Sequence, residues 1–376
     1  MPRTLAPSAI LAPSAILARS ASALLSAIVL SLATVPARAA EPTIALELRG
    51  QWIEATPLWA SDRQVLLLGR DGRLWDVGAD EPSQFRQTSR SFQSYTAGEM
   101  RGQLQREFGS RFEVSGTGHY LVVHPAGQRD AWAQRFEDLY RSFVHYFSVR
   151  GFRPSEPRFP LVAVVLHNQG EFLSLADKSG ARVGPGVLGY FDLETNRVLV
   201  YDQTGDREIG DDWLTSAETI IHEAAHQTAF NTGVHNRFSA PPRWVAEGLG
   251  TLFEAPGVYD SRHYTRLEDR LNRGRLEAFR RHAAGKGGEN WLGDLVATDR
   301  FFQSNGDRAY ALAWAVTFFL SESEPRKYSQ YLAATAAQAD FQPPSDEDRV
   351  RQFTQIFGND FAMLEARVMR FIATLP

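Results

Sequence analysis

Among its 376 residues the chain has no cysteine. That absence excludes disulfide stapling, a lipid anchor on a cysteine, and thiolate ligation, so any metal must be held by imidazole and carboxylate. An excess of positive charge is also missing. Forty Lys and Arg stand against 44 Asp and Glu, a formal net charge of −4, which argues against nucleic acid as a partner. Past the first forty or so residues no apolar run is long enough for a membrane helix, so no membrane span is expected.

The N-terminus reads as a secretory signal over residues 1–39. Arg3 and Arg19 flank its start, residues 21–35 are an apolar run, and Ala37-Arg38-Ala39 fits a small-x-small cleavage site. The run is too short to span a bilayer. A repeat, Ala-Pro-Ser-Ala-Ile-Leu at 6–11 and again at 12–17, lengthens the front end and fits a start codon further downstream. Cleavage would remove Arg3, Arg19 and Arg38 and no acid, taking the net charge from −4 to −7. Export to a periplasm or the extracellular space is the expectation.

Three units are expected after the signal. Residues 40–92 read as a small β-rich module, with strands at 44–48, 65–68 and 74–77 around an Arg70-Asp71-Gly72 turn. Residues 93–255 read as an α/β subdomain, opening with a helix at 97–108 and a hairpin of 112–114 and 120–123. Residues 256–376 carry helical periodicity over 267–279, 307–320, 325–337, 346–357 and 360–374, with Phe353, Phe357, Leu364, Val368 and Phe371 as core. Arg280-Arg281-His282 and the 286–288 stretch read as a solvated loop.

The most informative stretch is His222-Glu223-Ala224-Ala225-His226. Four residues along an α-helix bring both imidazoles to one face, and zinc accepts neutral imidazole nitrogen. Glu223 falls beside the fourth coordination place, where a general base for water is needed. A chance HExxH arises on the order of once in a hundred chains this poor in histidine, so the neighbourhood matters. Thr215 and Glu218 stand in capping-box spacing, Ala217, Ile220, Ile221, Ala224 and Ala225 form an apolar stripe, and Asn231 and Gly233 end the helix.

A third ligand is still required. The metzincin spacing fails, because position 232 is Thr and position 229 is Ala, and His235 fits no familiar spacing. A second helix from Pro241 to Glu254 carries Glu247, 21 residues after His226, amid Trp244, Val245, Leu249, Leu252 and Phe253. A carboxylate in such an apolar setting is costly unless it meets a cation. Gly248 and Gly250 would let the two metal helices approach closely, and Glu254 could orient a ligand histidine.

The run from His222 to His226, followed by Trp244-Val245-Ala246-Glu247-Gly248 through Glu254, resembles the gluzincin metallopeptidases, and among them the peptidase MA-like DUF1570 family. The resemblance extends from about Gly118 to the C-terminus, and its upstream strand, long helix, second strand and edge strand match 120–123, 132–147, 162–166 and 190–202. It implies an α+β, zincin-like fold with a mostly helical C-terminal half, and one Zn2+ per chain held by His222, His226 and Glu247. The aminopeptidase branch places an oxyanion-stabilising Tyr some sixty residues past the ligand Glu. Tyr310, 63 residues after Glu247 at the start of a helix, matches that place. The same residue also reads as a core Tyr beside Trp314, and His263 is a substitute for the role.

The resemblance implies a peptide or protein substrate, hydrolysed by a zinc-bound water that Glu223 activates. The Gly-Ala-Met-Glu-Asn strand that grips a free amine in the aminopeptidase branch is missing, and Gly186-Val187-Leu188-Gly189-Tyr190 stands in its place. Endopeptidase action is therefore expected. The strand Val198-Leu199-Val200-Tyr201 is available for pairing with an extended substrate. Two alternatives stay open: a non-catalytic zincin-fold scaffold of the cell envelope, and a zinc amidase acting on peptidoglycan.

Overall fold

The computed structural model describes residues 41–48, 50–61, 63–78, 85–89, 91–128, 131–184, 186–202, 213–283 and 290–376. The expected signal at 1–39 and the 286–288 part of the expected solvated loop lie outside the described residues. The chain is a mixed α/β protein, with two five-stranded sheets among the described residues. Among the described residues, no helix is long and apolar enough to cross a membrane.

The first sheet is antiparallel: β1 (Thr43–Leu48), β2 (Gln51–Ala60), β3 (Gln64–Gly69), β4 (Leu74–Gly78) and β5 (Phe85–Ser89), in the order β4-β3-β2-β1-β5. Strand β2 is its middle strand, yet sequence periodicity does not reveal it. Pro57 interrupts the pattern, and the β2–β3 register shifts between Pro57 and Trp59, an irregularity of the kind that admits proline inside a sheet. The expected turn at Arg70-Asp71-Gly72 docks this sheet onto the rest of the chain. Gly72, at φ 85°, lies against the Phe159 ring, and Leu74 N–H donates to the Glu194 carbonyl at 2.7 Å.

Helix α1 (Ala97–Phe108) starts where a capping box closes: Glu99 N–H donates to the Thr96 hydroxyl and Thr96 N–H to the Glu99 carboxylate. The second sheet follows, built from β6 (Phe112–Gly116), β7 (Tyr120–Pro125), β8 (Leu161–Leu166), β9 (Gly189–Asp192) and β10 (Arg197–Tyr201) in the order β6-β7-β8-β10-β9. Strands β7, β8 and β10 run parallel, and antiparallel β6 and β9 close the two edges. The helices between them are α2 (Ala131–Ser148) and α3 (Gln169–Lys178), with α4 (Trp213–Asn231) after the sheet. Alternating side chains divide the sheet faces. Phe191, Val198 and Val200 pack with Phe136 of α2 and Ile220 and Ala224 of α4, whereas Tyr190 and Leu199 pack with Leu104 of α1 and Phe172 of α3.

Three expectations about this region change. The span from Tyr190 is a hairpin rather than one edge strand, turned by Asp192, which accepts from Glu194 N–H and the Thr195 hydroxyl, and by Asn196 at φ 61°. Strand β10, expected to meet substrate, is paired on both sides, with β8 and with β9, so its backbone groups are already taken; the edge belongs to β9. Helix α4 begins at Trp213, which places Thr215 inside it and not at its cap.

The longer helices that follow are α5 (Arg243–Phe253), α6 (Arg273–Ala283), α7 (Trp291–Ala297), α8 (Gly306–Ser323), α9 (Pro325–Ala336), α10 (Asp346–Phe357) and α11 (Phe361–Ala373). The helix expected over 267–279 is split into a short 3-10 turn and α6, because Asn272 caps α6 by accepting from Arg275 N–H at 3.1 Å. Arg280, Arg281 and His282, expected in a loop, form the last turn of α6. Helix α8 is the hub. From Ala309 to Ser321 every residue is buried, and burying each large apolar side chain such as Leu312 or Phe318 is worth about 1.5–3 kcal/mol.

Gln227 ties α4 to the second sheet. Its amide donates to the Val162 carbonyl at 2.9 Å and the Asn196 carbonyl at 2.8 Å, fully buried. Gln227→Leu should lower unfolding free energy by about 1–3 kcal/mol, since two buried acceptors lose their donor. A urea midpoint unchanged from wild type would show that this tie contributes nothing.

Candidate metal centre

Helices α4 and α5 bring three donor side chains to one point. His222 and His226 stand one turn apart on α4 with their Nε2 atoms 2.9 Å from each other. Glu247 on α5 places Oε2 3.3 Å from His222 Nε2 and 3.6 Å from His226 Nε2. Among the described residues this is the one group of three or more such ligands whose donor atoms converge, all within 4.8 Å of one another. All three side chains are buried.

The close approach of the helices rests on two glycines, though not in the way spacing suggests. A Cβ on Gly250 would lie 2.6–2.9 Å from three atoms of the His222 ring, so this glycine makes room for the imidazole itself. Gly248 faces elsewhere: a Cβ there would collide with Thr317 Oγ1 and the Ala313 carbonyl on α8. One glycine admits the ligand histidine, and the other seats α5 on the hub helix.

His222 Nδ1 lies 2.8 Å from Glu254 Oε1, at the C-terminal end of α5. An ionised carboxylate only accepts, so Nδ1 carries the hydrogen and Nε2 turns its lone pair toward His226 and Glu247. Glu254 is held in turn by Asn272, whose side-chain N–H donates to Oε2 at 2.6 Å and to the Thr251 carbonyl at 3.0 Å.

The arrangement favours positive charge at its centre. Burial opposes ionisation of Glu247, but the two imidazoles outweigh it and hold the carboxyl well below the usual range. Burial opposes charge on His222 as well, and there Glu247 and Glu254 prevail and push its pKa up. Three lone-pair atoms facing one another in a dry pocket repel unless a cation lies among them. Two imidazole nitrogens and one carboxylate oxygen are a donor set that suits zinc, so the residues present fit a divalent ion of that kind.

Around this cluster the other expected residues fall as follows. Glu223 is buried, and its Oε2 accepts the Phe191 N–H from edge strand β9 at 2.7 Å. Tyr310, on α8, is buried with its ring centroid 6.4 Å from that of His222. Its hydroxyl neighbours the Arg243 guanidinium, and burial, reinforced by the Glu247 charge, raises its pKa well above the ordinary phenol value. It also packs edge-on against Phe302, so it is both a core residue and a neighbour of the cluster. His235 is buried outside the cluster with Nδ1 on the Val234 carbonyl, and burial lowers its pKa to about 3. His263 is exposed and pairs with Asp260 at 2.8 Å.

Sequence reading missed Arg243, Asn272 and Phe191. Arg243 stands four residues before Glu247 on one helix, a spacing that places the two side chains together and could have revealed it. Asn272 reaches Glu254 across 18 residues, and Phe191 meets Glu223 across 32, contacts for which the local sequence carries no signal.

A family model described as "Protein of unknown function (DUF1570)" matches residues 216–342, which hold all three donor residues and Tyr310. The strands and helices upstream, from Gly118 onward, lie outside the match. No curated protein matches the chain. Among solved structures, a mutant M1 zinc metallopeptidase from Deinococcus radiodurans is similar at 15% identity, covering 71% of this chain and 52% of that one, with a TM-score of 0.38. A two-domain M1 zinc metallopeptidase mutant bound to L-arginine is similar at 14% identity, covering 70% and 50%, with a TM-score of 0.30. The chain thus spans about half the length of these structures.

Gly250→Ala should displace the His222 ring while raising helix propensity by up to about 1 kcal/mol. The expected result is zinc affinity at least roughly tenfold weaker by isothermal titration, with the fold kept. An unchanged Kd would mean that the ring has room the geometry does not indicate.

Proposed function

We propose that the chain is an exported zinc-dependent metallopeptidase of gluzincin type that hydrolyses internal peptide bonds. The observation that carries the reading is the convergence of His222, His226 and Glu247 in one buried pocket, with Glu223 on the same helix. An ion bound there supplies Lewis-acid polarisation of a carbonyl and lowers the pKa of a water molecule.

The rest of the chemistry falls to the chain's own side chains. Glu223 is the general base: it takes the proton from the attacking water and passes it to the leaving amine. Its hydrogen bond from Phe191 keeps the carboxylate in one orientation and couples it to β9, the edge strand along which an extended substrate would lie. Tyr310 donates its hydroxyl hydrogen to the oxygen that gains negative charge. Its raised pKa keeps it a donor at neutral pH. Glu254 and Asn272 hold the His222 ring. The missing amine-gripping strand supports internal cleavage over removal of single N-terminal residues.

Glu223→Gln tests this directly, since the amide oxygen can still accept the Phe191 N–H. The variant should retain one zinc per chain by elemental analysis and lose peptide hydrolysis by roughly 10²- to 10⁴-fold. Cleavage at the wild-type rate overturns the proposal. A zinc-loaded wild type that cleaves nothing in a broad peptide library points to the scaffold reading, and release of stem peptides from purified wall material points to the amidase.

A further inference from the structure

Arg243 opens α5 and touches the centre in two places. Its Nε donates to Glu247 Oε1 at 3.4 Å, the carboxylate oxygen other than the one that faces the two imidazoles. Its guanidinium also neighbours the Tyr310 hydroxyl closely enough to act on its charge. The arginine is itself held from three sides. Its backbone N–H donates to Asp299 Oδ1 at 3.4 Å, its Cζ lies 4.7 Å from the centroid of the Phe302 ring, and its own helix fixes it one turn before Glu247.

A carboxylate can bind a metal through one oxygen or through both. With both, Glu247 would fill a coordination place that a hydrolytic site must leave open. A guanidinium hydrogen-bonded to one oxygen competes with the metal for that oxygen, and its rigid fork lets the same group hold a second acceptor. We propose that Arg243 is a positioning residue that keeps Glu247 a one-oxygen ligand through Oε2 and aligns the Tyr310 hydroxyl beside the place thereby left open. The inference rests on the metal-centre reading above.

Cobalt in place of zinc makes the coordination number visible, because four-coordinate Co2+ absorbs much more strongly in the visible range than five-coordinate Co2+. Metal-free full-length wild type, Arg243→Gln and Arg243→Lys are each titrated with Co2+ alone. Wild type should give the intense four-coordinate band. Arg243→Gln should give the weak five-coordinate band at equal cobalt content, with kcat lowered roughly 10- to 100-fold and KM less affected. Arg243→Lys, which keeps the charge but not the fork, should recover part of the band.

A purely structural role for Arg243 would change melting temperature and leave the band as it is. Identical spectra for wild type and Arg243→Gln at full cobalt occupancy overturn the inference and leave the metal centre standing. Failure of wild type to take up any Co2+ or Zn2+ overturns the metal centre and the inference together. If Arg243→Gln does not fold, Arg243→Lys decides: a band identical to wild type with unchanged kcat also overturns the inference.

Discussion

Three lone pairs directed at one another inside a dry pocket form the constraint around which this molecule is organised. His222, His226 and Glu247 are almost fully removed from water, so each has given up hydration that a cation at their centre would replace. The surroundings work toward that end. Glu254 fixes the proton of one imidazole on the far side of the ring, Asn272 fixes Glu254, and Arg243 occupies the spare oxygen of Glu247. Each of these contacts removes an alternative way for the cluster to satisfy itself.

The packing explains why the cluster can be held so closely. Helix α8 is buried along most of its length, and α5 lies against it through Gly248, while Gly250 of the same helix opens toward α4. Small residues at those two positions let backbones and an imidazole occupy space that a methyl group would close. On its other side α4 lies against the second sheet through Ile220 and Ala224, and Gln227 is bonded to two strand carbonyls. The metal helix is thus clamped between a sheet and a helical hub, and both imidazoles project from its rigid interior.

Much of this was legible beforehand. The spacing of the two histidines implies a shared face of a helix, because 3.6 residues per turn leaves little freedom. Glu247 stood out as an acid within an apolar stretch, and the structure brings it to the histidines. Long periodic helices such as 346–357 were readable to the residue. What failed to show were elements that break periodicity and contacts that cross sequence distance. Strand β2 was hidden by Pro57, the β9–β10 hairpin by a turn that needs a left-handed Asn196, and the split before α6 by Asn272 turning its side chain back to cap the Arg275 N–H.

The amino-acid sequence by itself determined the ligand chemistry. With no cysteine and two histidines at helical spacing, only imidazole and carboxylate could form the site, and local backbone geometry places the histidines together. Tertiary structure decided everything that depends on separate segments meeting. It brought Glu247 to the two histidines, made β9 the sheet edge instead of β10, and set Phe191 against Glu223 and Arg243 against Tyr310. The physical reason is range: helical spacing acts over one or two turns, whereas these partners meet only after sheet and helices have buried their apolar faces together.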